Sequence, residues 1–207
     1  MNLRPHLAKA LTSTLSKPIL FVLCLLPFAS LLYAAFLNPD SLGANPAEYI
    51  IRATGDWVLR LLCLVLAITP LRVITGTPQL ARFRRMLGLF VFFYVCLHLL
   101  GYAWFDKEFD IPEIAKDIAK RPFILVGFLG FVLLAPLAAT SFNKAIKWMG
   151  AKRWQLLHKL VYVIAGLGIL HFFWMRAGKN NFAEVFVYAG VLAVLLGWRV
   201  WHKWRGK

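Results

Sequence analysis

Six blocks of about eighteen mostly apolar residues run along this chain, and few folds can accommodate them. They are Ile19–Leu37, Trp57–Ile74, Met86–Phe105, Phe123–Thr140, Gln155–Trp174 and Phe182–Trp198. Each is long enough to cross a hydrocarbon core of about 30 Å as a helix. Lipid offers backbone groups no hydrogen bonds, so a spanning segment is either a helix or part of a closed barrel. Barrel strands would read as short alternating segments, and the sequence has none. Only 16% of residues are charged, against about a quarter in soluble domains. The sequence therefore predicts an all-α integral membrane protein, a six-helix transmembrane bundle. Residues 1–18 form its N-terminal segment, 19–198 the membrane domain and 199–207 a basic tail. The first block follows a basic stretch, but it is too long for a usual signal-peptide core and reads as a retained anchor. Pro27 and Pro136 lie inside blocks and are expected to kink them against neighbouring helices.

Charge predicts the orientation. The net charge of +15 would suggest nucleic acid in a soluble chain, but here the basic residues flank the apolar blocks. The N-terminal segment, residues 72–85, residues 141–153 and the tail carry Lys and Arg with no Asp or Glu. All nine acids fall in the alternate connections: Asp40, Glu48 and Asp56; Asp106, Glu108, Asp110, Glu113 and Asp117; and Glu184. The positive-inside rule then places both termini in the cytoplasm, as in a multi-pass protein of the bacterial inner membrane. The external connection 106–121 has Ile111, Ile114 and Ile118 at helical spacing. It reads as a short amphipathic surface helix, either a docking surface for an external partner or a solvated loop.

Polar chemistry inside the blocks is sparse. Cys24, Cys63 and Cys96 each lie in an apolar block, as buried free thiols would. Of five histidines, His6 and His202 sit in the basic ends, where solvated rings are expected. His98, His158 and His171 lie within spans. An ionisable ring in hydrocarbon is costly and marks a functional site by default, and neutral imidazole is a usual ligand of haem iron. With no C-x-x-C-H in the chain, such a haem would be held non-covalently, as haem b.

Depth separates the three rings. At 1.5 Å per residue, His98 stands about 18 Å above Met86, and His171 roughly 24 Å above Gln155. Both occupy the external half of the bilayer and form a plausible axial pair across one iron. His158 lies about 20 Å below His171, at the level of a second haem. The third span has no lower histidine to match it; thirteen and fourteen residues before His98 stand Arg85 and Arg84. Guanidinium stays protonated and is no ordinary iron ligand. These two arginines either clamp a haem propionate or simply anchor the cytoplasmic face. Thirteen residues also turn His158 about 140° away from His171 on an ideal helix, so a local irregularity is required. Gly101 and Gly168, one turn from His98 and His171, are candidates for admitting a flat ring or for close helix packing. Arg60 either snorkels or binds a propionate or quinone.

The run from Arg84-Arg85-Met86-Leu87-Gly88-Leu89 to Leu97-His98-Leu99 resembles the MsrQ branch of the ferric-reductase-like transmembrane family. So do residues 154–162 (Trp-Gln-Leu-Leu-His-Lys-Leu-Val-Tyr), residues 169–174 (Ile-Leu-His-Phe-Phe-Trp), Ile68-Thr69-Pro70-Leu71 and Arg121-Pro122-Phe123. The resemblance covers nearly the whole chain in order. It implies a b-type haem subunit that takes electrons from the quinone pool or a flavin reductase. The acceptor it implies is a periplasmic molybdopterin partner, MsrP, which reduces methionine sulfoxide in envelope proteins. On that resemblance His98, His158 and His171 match haem histidines, and FMN joins haem b as an associated cofactor. Substrate chemistry would reside on the partner, and the membrane chain would contact lipid but no nucleic acid. Unlike larger relatives, this sequence shows no attached flavin and nicotinamide domain. A ferric reductase or another cytochrome b is the alternative within the redox class. A histidine-relay transporter would call for intramembrane carboxylates, and a structural anchor would carry no haem.

Overall fold

The computed structural model describes residues 3–178 and 180–206, with side chains from residue 8 onward. The side chains of Arg4 and His6, and Lys207 of the tail, lie outside the described residues. Every described regular element is helical: α1 (Leu3–Thr12), α2 (Ser16–Leu37), α3 (Pro46–Thr75), α4 (Arg84–Gly101), α5 (Ile111–Lys120), α6 (Pro122–Ala139), α7 (Asn143–Met149), α8 (Ala151–His158), α9 (Leu160–Ala177) and α10 (Ala183–Arg205). Six helical segments are long and apolar enough to cross a membrane: α2, α3, α4 with its flanking turns, α6, α8 continued by α9, and α10. α3 packs along α4 and α6 along α9, the two most extensive helix pairs; α4 meets α6, and α10 covers α3 and α9. The core between them is built of Leu61, Leu62, Leu66, Leu87, Val91, Leu134 and Ala165, all nearly excluded from the surface.

The second span begins eleven residues before the apolar block that announces it. Pro46 occupies its first turn and the Asn45 side chain accepts a bond from the Glu48 N–H, a favourable start for a helix. Glu48 and Arg52 then pair at i,i+4. Glu48 and Asp56, which the sequence places in a connection, are therefore on α3. The 30 residues of α3 run about 45 Å, longer than the hydrocarbon core, and its polar first turns overhang one end.

Proline inside a helix leaves backbone groups without partners, and two neighbours supply them. α2 runs through Pro27, where the Tyr94 hydroxyl from α4 enters its hydrogen-bond ladder. Tyr94 Oη accepts from the Phe28 N–H at 3.1 Å and donates to the Cys24 carbonyl at 2.8 Å. In α3, Pro70 has no N–H to offer the Leu66 carbonyl. A hydrogen bond from the Arg199 guanidinium on α10 fills that position. α6 also continues through Pro136.

At the acidic end, α4 loosens into a π-turn over Tyr102–Asp106. The chain then reverses through Glu108 and Phe109, both at positive φ, into α5. The expected amphipathic helix is there: Asp110 caps it by accepting from the Glu113 N–H. Asp117 of α5, 5% exposed, ties it down. It accepts from Tyr102 Oη at 2.8 Å and pairs with Lys107 Nζ at 3.1 Å and Arg121 Nε at 2.8 Å. The three cysteines are free.

Candidate functional site: two cavities and three histidines

Two cavities lie end to end inside the bundle. The first, about 470 Å³, is lined by His98 and His171 together with Ile51, Gly55, Phe123 and Gly127. The second, about 460 Å³, is lined by His158, Arg84, Arg85 and Arg199. Leu62, Val91 and Leu134 belong to both linings, so a single layer of buried aliphatic side chains separates them.

In the first cavity α4 and α9 bring His98 and His171 to opposite walls. Their ring centres are 6.0 Å apart and their planes cross at 86°. His98 Nδ1 is 2.8 Å from the Ile51 carbonyl of α3, and His171 Nδ1 is 2.7 Å from the Phe123 carbonyl of α6. A carbonyl oxygen can only accept, so each Nδ1 carries the proton and each Nε2 keeps its lone pair. The two rings are thus held in the tautomer suited to binding a metal through Nε2. Neutral imidazoles are usual donors to haem iron, and at this separation His98 and His171 would hold one between them. Among the described residues no group of three or more His, Cys, Asp or Glu converges.

The mouth of this cavity holds Glu48, Arg52, Asp56, Asp106 and Arg121. Arg52 pairs with Glu48 and Arg121 with Asp117, so both guanidiniums there already meet a carboxylate. From α5, Ile118 closes one side, so the isoleucine stripe is divided: Ile118 faces the cavity while Ile111 is exposed.

The second cavity is arranged differently. His158 stacks on Trp154 with ring centres 3.9 Å apart, and its Nε2 is 3.2 Å from Thr140 Oγ1. Lys159 separates α8 from α9, with i→i+3 bonds on either side of it, Lys159 N to Leu156 O and Tyr162 N to Lys159 O. Such turns wind by about 120° per residue, not 100°, which closes part of the rotation separating His158 from His171. Arg84 and Arg85 do line this cavity, and each donates a hydrogen bond to a neutral side chain: Thr69 Oγ1 at 2.6 Å and Asn143 Oδ1 at 2.8 Å. Arg199 joins them, bonded to the Leu66 and Leu195 carbonyls. Among the described residues no carboxylate lies in the lining, which three guanidiniums and Lys159 make strongly basic.

The structure brings His98 and His171 to the first cavity and His158, Arg84 and Arg85 to the second, where Arg199 of the basic tail joins them. Gly101 and Gly168 pack closely against side chains of α3, where an added Cβ would stand 3.2 Å from Ile51 Cγ1 and 3.5 Å from Leu59 Cδ2, and Gly168 also lines the first cavity with His171. Arg60 lies outside both cavities, bonded to Tyr188 Oη at 3.2 Å and stacked over Trp57. His202 is exposed and stacks on Trp198, as expected of a solvated end.

Residues 54–169, which contain His98 and His158, match the family described as ferric reductase like transmembrane component. A protein of Polaromonas naphthalenivorans named "protein-methionine-sulfoxide reductase heme-binding subunit MsrQ" is 75% identical over 189 residues, 91% of this chain and 85% of that protein. The chain belongs to the MsrQ family. Other MsrQ proteins include that of Herminiimonas arsenicoxydans, 56% identical over 93% of this chain and 87% of its own length. The MsrQ of Xanthomonas campestris pv. campestris is 49% identical over 79% of this chain and 74% of its own length. No solved structure matches the chain.

Proposed function

We propose that this chain is the haem b-carrying membrane subunit of a methionine-sulfoxide reductase system, passing electrons outward across the bacterial inner membrane. The crossed imidazoles of His98 and His171, 6.0 Å apart with both Nδ1 protons tied to backbone carbonyls, carry the reading. Bound between them, haem would supply a one-electron carrier whose potential the protein tunes. The Ile51 and Phe123 carbonyls hold the imidazole protons and raise the basicity of each Nε2. Val91, Leu62 and Leu134 exclude water from the inner side of the site. Arg52 and Arg121 stand at its mouth, where their N–H groups not engaged by Glu48 and Asp117 would be offered to propionates.

His158 belongs to a second site in this proposal. Arg84, Arg85 and Arg199 provide the positive charge there for propionates, or for the phosphate of the FMN implied by the family resemblance. Residues 19–198 act as one electron-carrying domain. The basic end of the bundle faces the cytoplasm with both termini, by the positive-inside rule. The donor we propose is the quinone pool or a flavin reductase on that side. The acceptor is the periplasmic molybdopterin subunit MsrP, docking at the acidic end beside α5.

Purified from a haem-replete host, the parent protein should show a b-type reduced spectrum that His98→Ala and His171→Ala largely abolish. A normal reduced spectrum in either variant would refute the axial pair. In liposomes loaded with reducing equivalents, reduction of added MsrP should require both histidines.

A further inference from the structure

The two histidine-bearing helix pairs repeat one local design. On α3 the acceptor for His98 is the carbonyl of Ile51, and four residues on stands Gly55; on α6 the acceptor for His171 is Phe123, and four residues on stands Gly127. Helical Cα–Cβ bonds tilt toward the N-terminus, so the Cβ of residue i+4 leans back beside the carbonyl of residue i. A ring that reaches this carbonyl from a neighbouring helix must occupy the space of that Cβ. A Cβ at Gly127 would stand 2.8 Å from His171 Nδ1 and 2.9 Å from Cε1. At Gly55 it would stand 3.1 Å from His98 Cε1 and 3.2 Å from Nδ1. Both glycines lie in helix interiors, where glycine is an unfavourable choice unless something needs the room.

We propose that Gly55 and Gly127 are positioning residues for the two imidazoles: their missing side chains let each ring lie on the carbonyl that fixes its tautomer and donor strength. The inference rests on His98 and His171 being the axial ligands. Neither glycine touches iron; each acts through its histidine. An added methyl displaces the ring, lengthens the Nδ1–H···O bond and leaves Nε2 a weaker donor. Ferric iron gains more from a strong donor than ferrous iron does, so the midpoint potential rises. The effect is graded, because the contact at Gly127 is below any normal separation while that at Gly55 needs only a few tenths of an ångström of relief.

The test is a spectroelectrochemical titration with ferric EPR on full-length Gly127→Ala, Gly55→Ala and Gly166→Ala, each with haem quantified. Gly166 is on α9, the helix of His171, and a Cβ there meets nothing within 4 Å. We expect Gly127→Ala to weaken haem retention by about 10- to 100-fold, the usual effect of losing an outer-shell ligand partner. Haem that remains should titrate at a higher potential with altered low-spin g-values. Gly55→Ala should show the same changes more weakly while retaining haem, and Gly166→Ala should match the parent. If Gly127→Ala is too poorly folded to isolate, the Gly55→Ala titration decides. Parent potential and g-values in Gly55→Ala and in any isolable Gly127→Ala would overturn the inference while His171→Ala remained haem-depleted. Full haem retention in His171→Ala would instead overturn the ligand assignment, and this inference with it.

Discussion

Replacing Asp117 by Asn removes a buried charge that ties α5 to the mouth of the first cavity. Asp117 is 5% exposed and engages Tyr102, Lys107 and Arg121. Removing one partner of a buried ion pair costs about 3–5 kcal/mol. Arg121 is 56% exposed on its side chain, so its share falls toward that of a surface pair, about 0–1 kcal/mol. Lys107, only 12% exposed, is left with Glu113 at 3.7 Å. The net effect on docking α5 is about 2–3 kcal/mol, or roughly a 30- to 150-fold loss of amide protection. Burial alone would raise the Asp117 carboxyl pKa, but hydrogen bonds from Tyr102 and Lys107 and the charge of Arg121 outweigh it and hold it below the ordinary value. A depressed folded-state pKa stabilises the fold above the unfolded value of about 4, and that stability is lost as pH falls through the folded value. Hydrogen exchange of α5, pulse-labelled by mass spectrometry, should therefore show steady protection from pH 7 to 5 and loss below about 4 in the parent. Asp117→Asn should show the reduced protection across the whole pH range while α3 and α6 are unchanged. Parent-like protection of α5 in the variant at pH 7 would refute the latch.

Other consequences follow from single contacts. Tyr94→Phe strips the hydroxyl that completes α2 at Pro27, and should destabilise the bundle by about 1–3 kcal/mol in reversible unfolding in mixed micelles. Arg199→Leu leaves the Leu66 carbonyl without a donor and removes one positive charge from the second cavity. On our proposal of a second haem held by His158, it should lower haem content there with little change in the His98 and His171 signal, read by difference spectra against His158→Ala. Crossed imidazole planes should give the parent ferric protein a highly anisotropic low-spin EPR signal with one large g-value, and the ordinary rhombic low-spin spectrum that parallel planes give would contradict the 86° geometry.

The spans were legible because lipid imposes length and apolarity together, and depth counting from Met86 and Gln155 placed His98 and His171 at one level. The eleven residues before Trp57 escaped because Glu48, Arg52 and Asp56 break the apolar run, although Glu48 and Arg52 themselves support the helix. Gly55 and Gly127 escaped for a different reason. Sequence distance from His98 and His171 drew attention to Gly101 and Gly168, but the glycines that matter lie on the helices packed opposite. Pro70 was a visible cue that a carbonyl four residues earlier lacked a donor; that Arg199 supplies it depends on how α10 returns to α3. The charge segregation read from the connections persists as an acid-bearing mouth and a carboxylate-free basic cavity at opposite ends.

Chemical rescue tests the axial pair most directly. His171→Gly should lose haem or hold it in a five-coordinate high-spin form, and added imidazole should restore the six-coordinate low-spin spectrum in a saturable manner. A variant that keeps the parent low-spin spectrum at that site without imidazole would contradict the account.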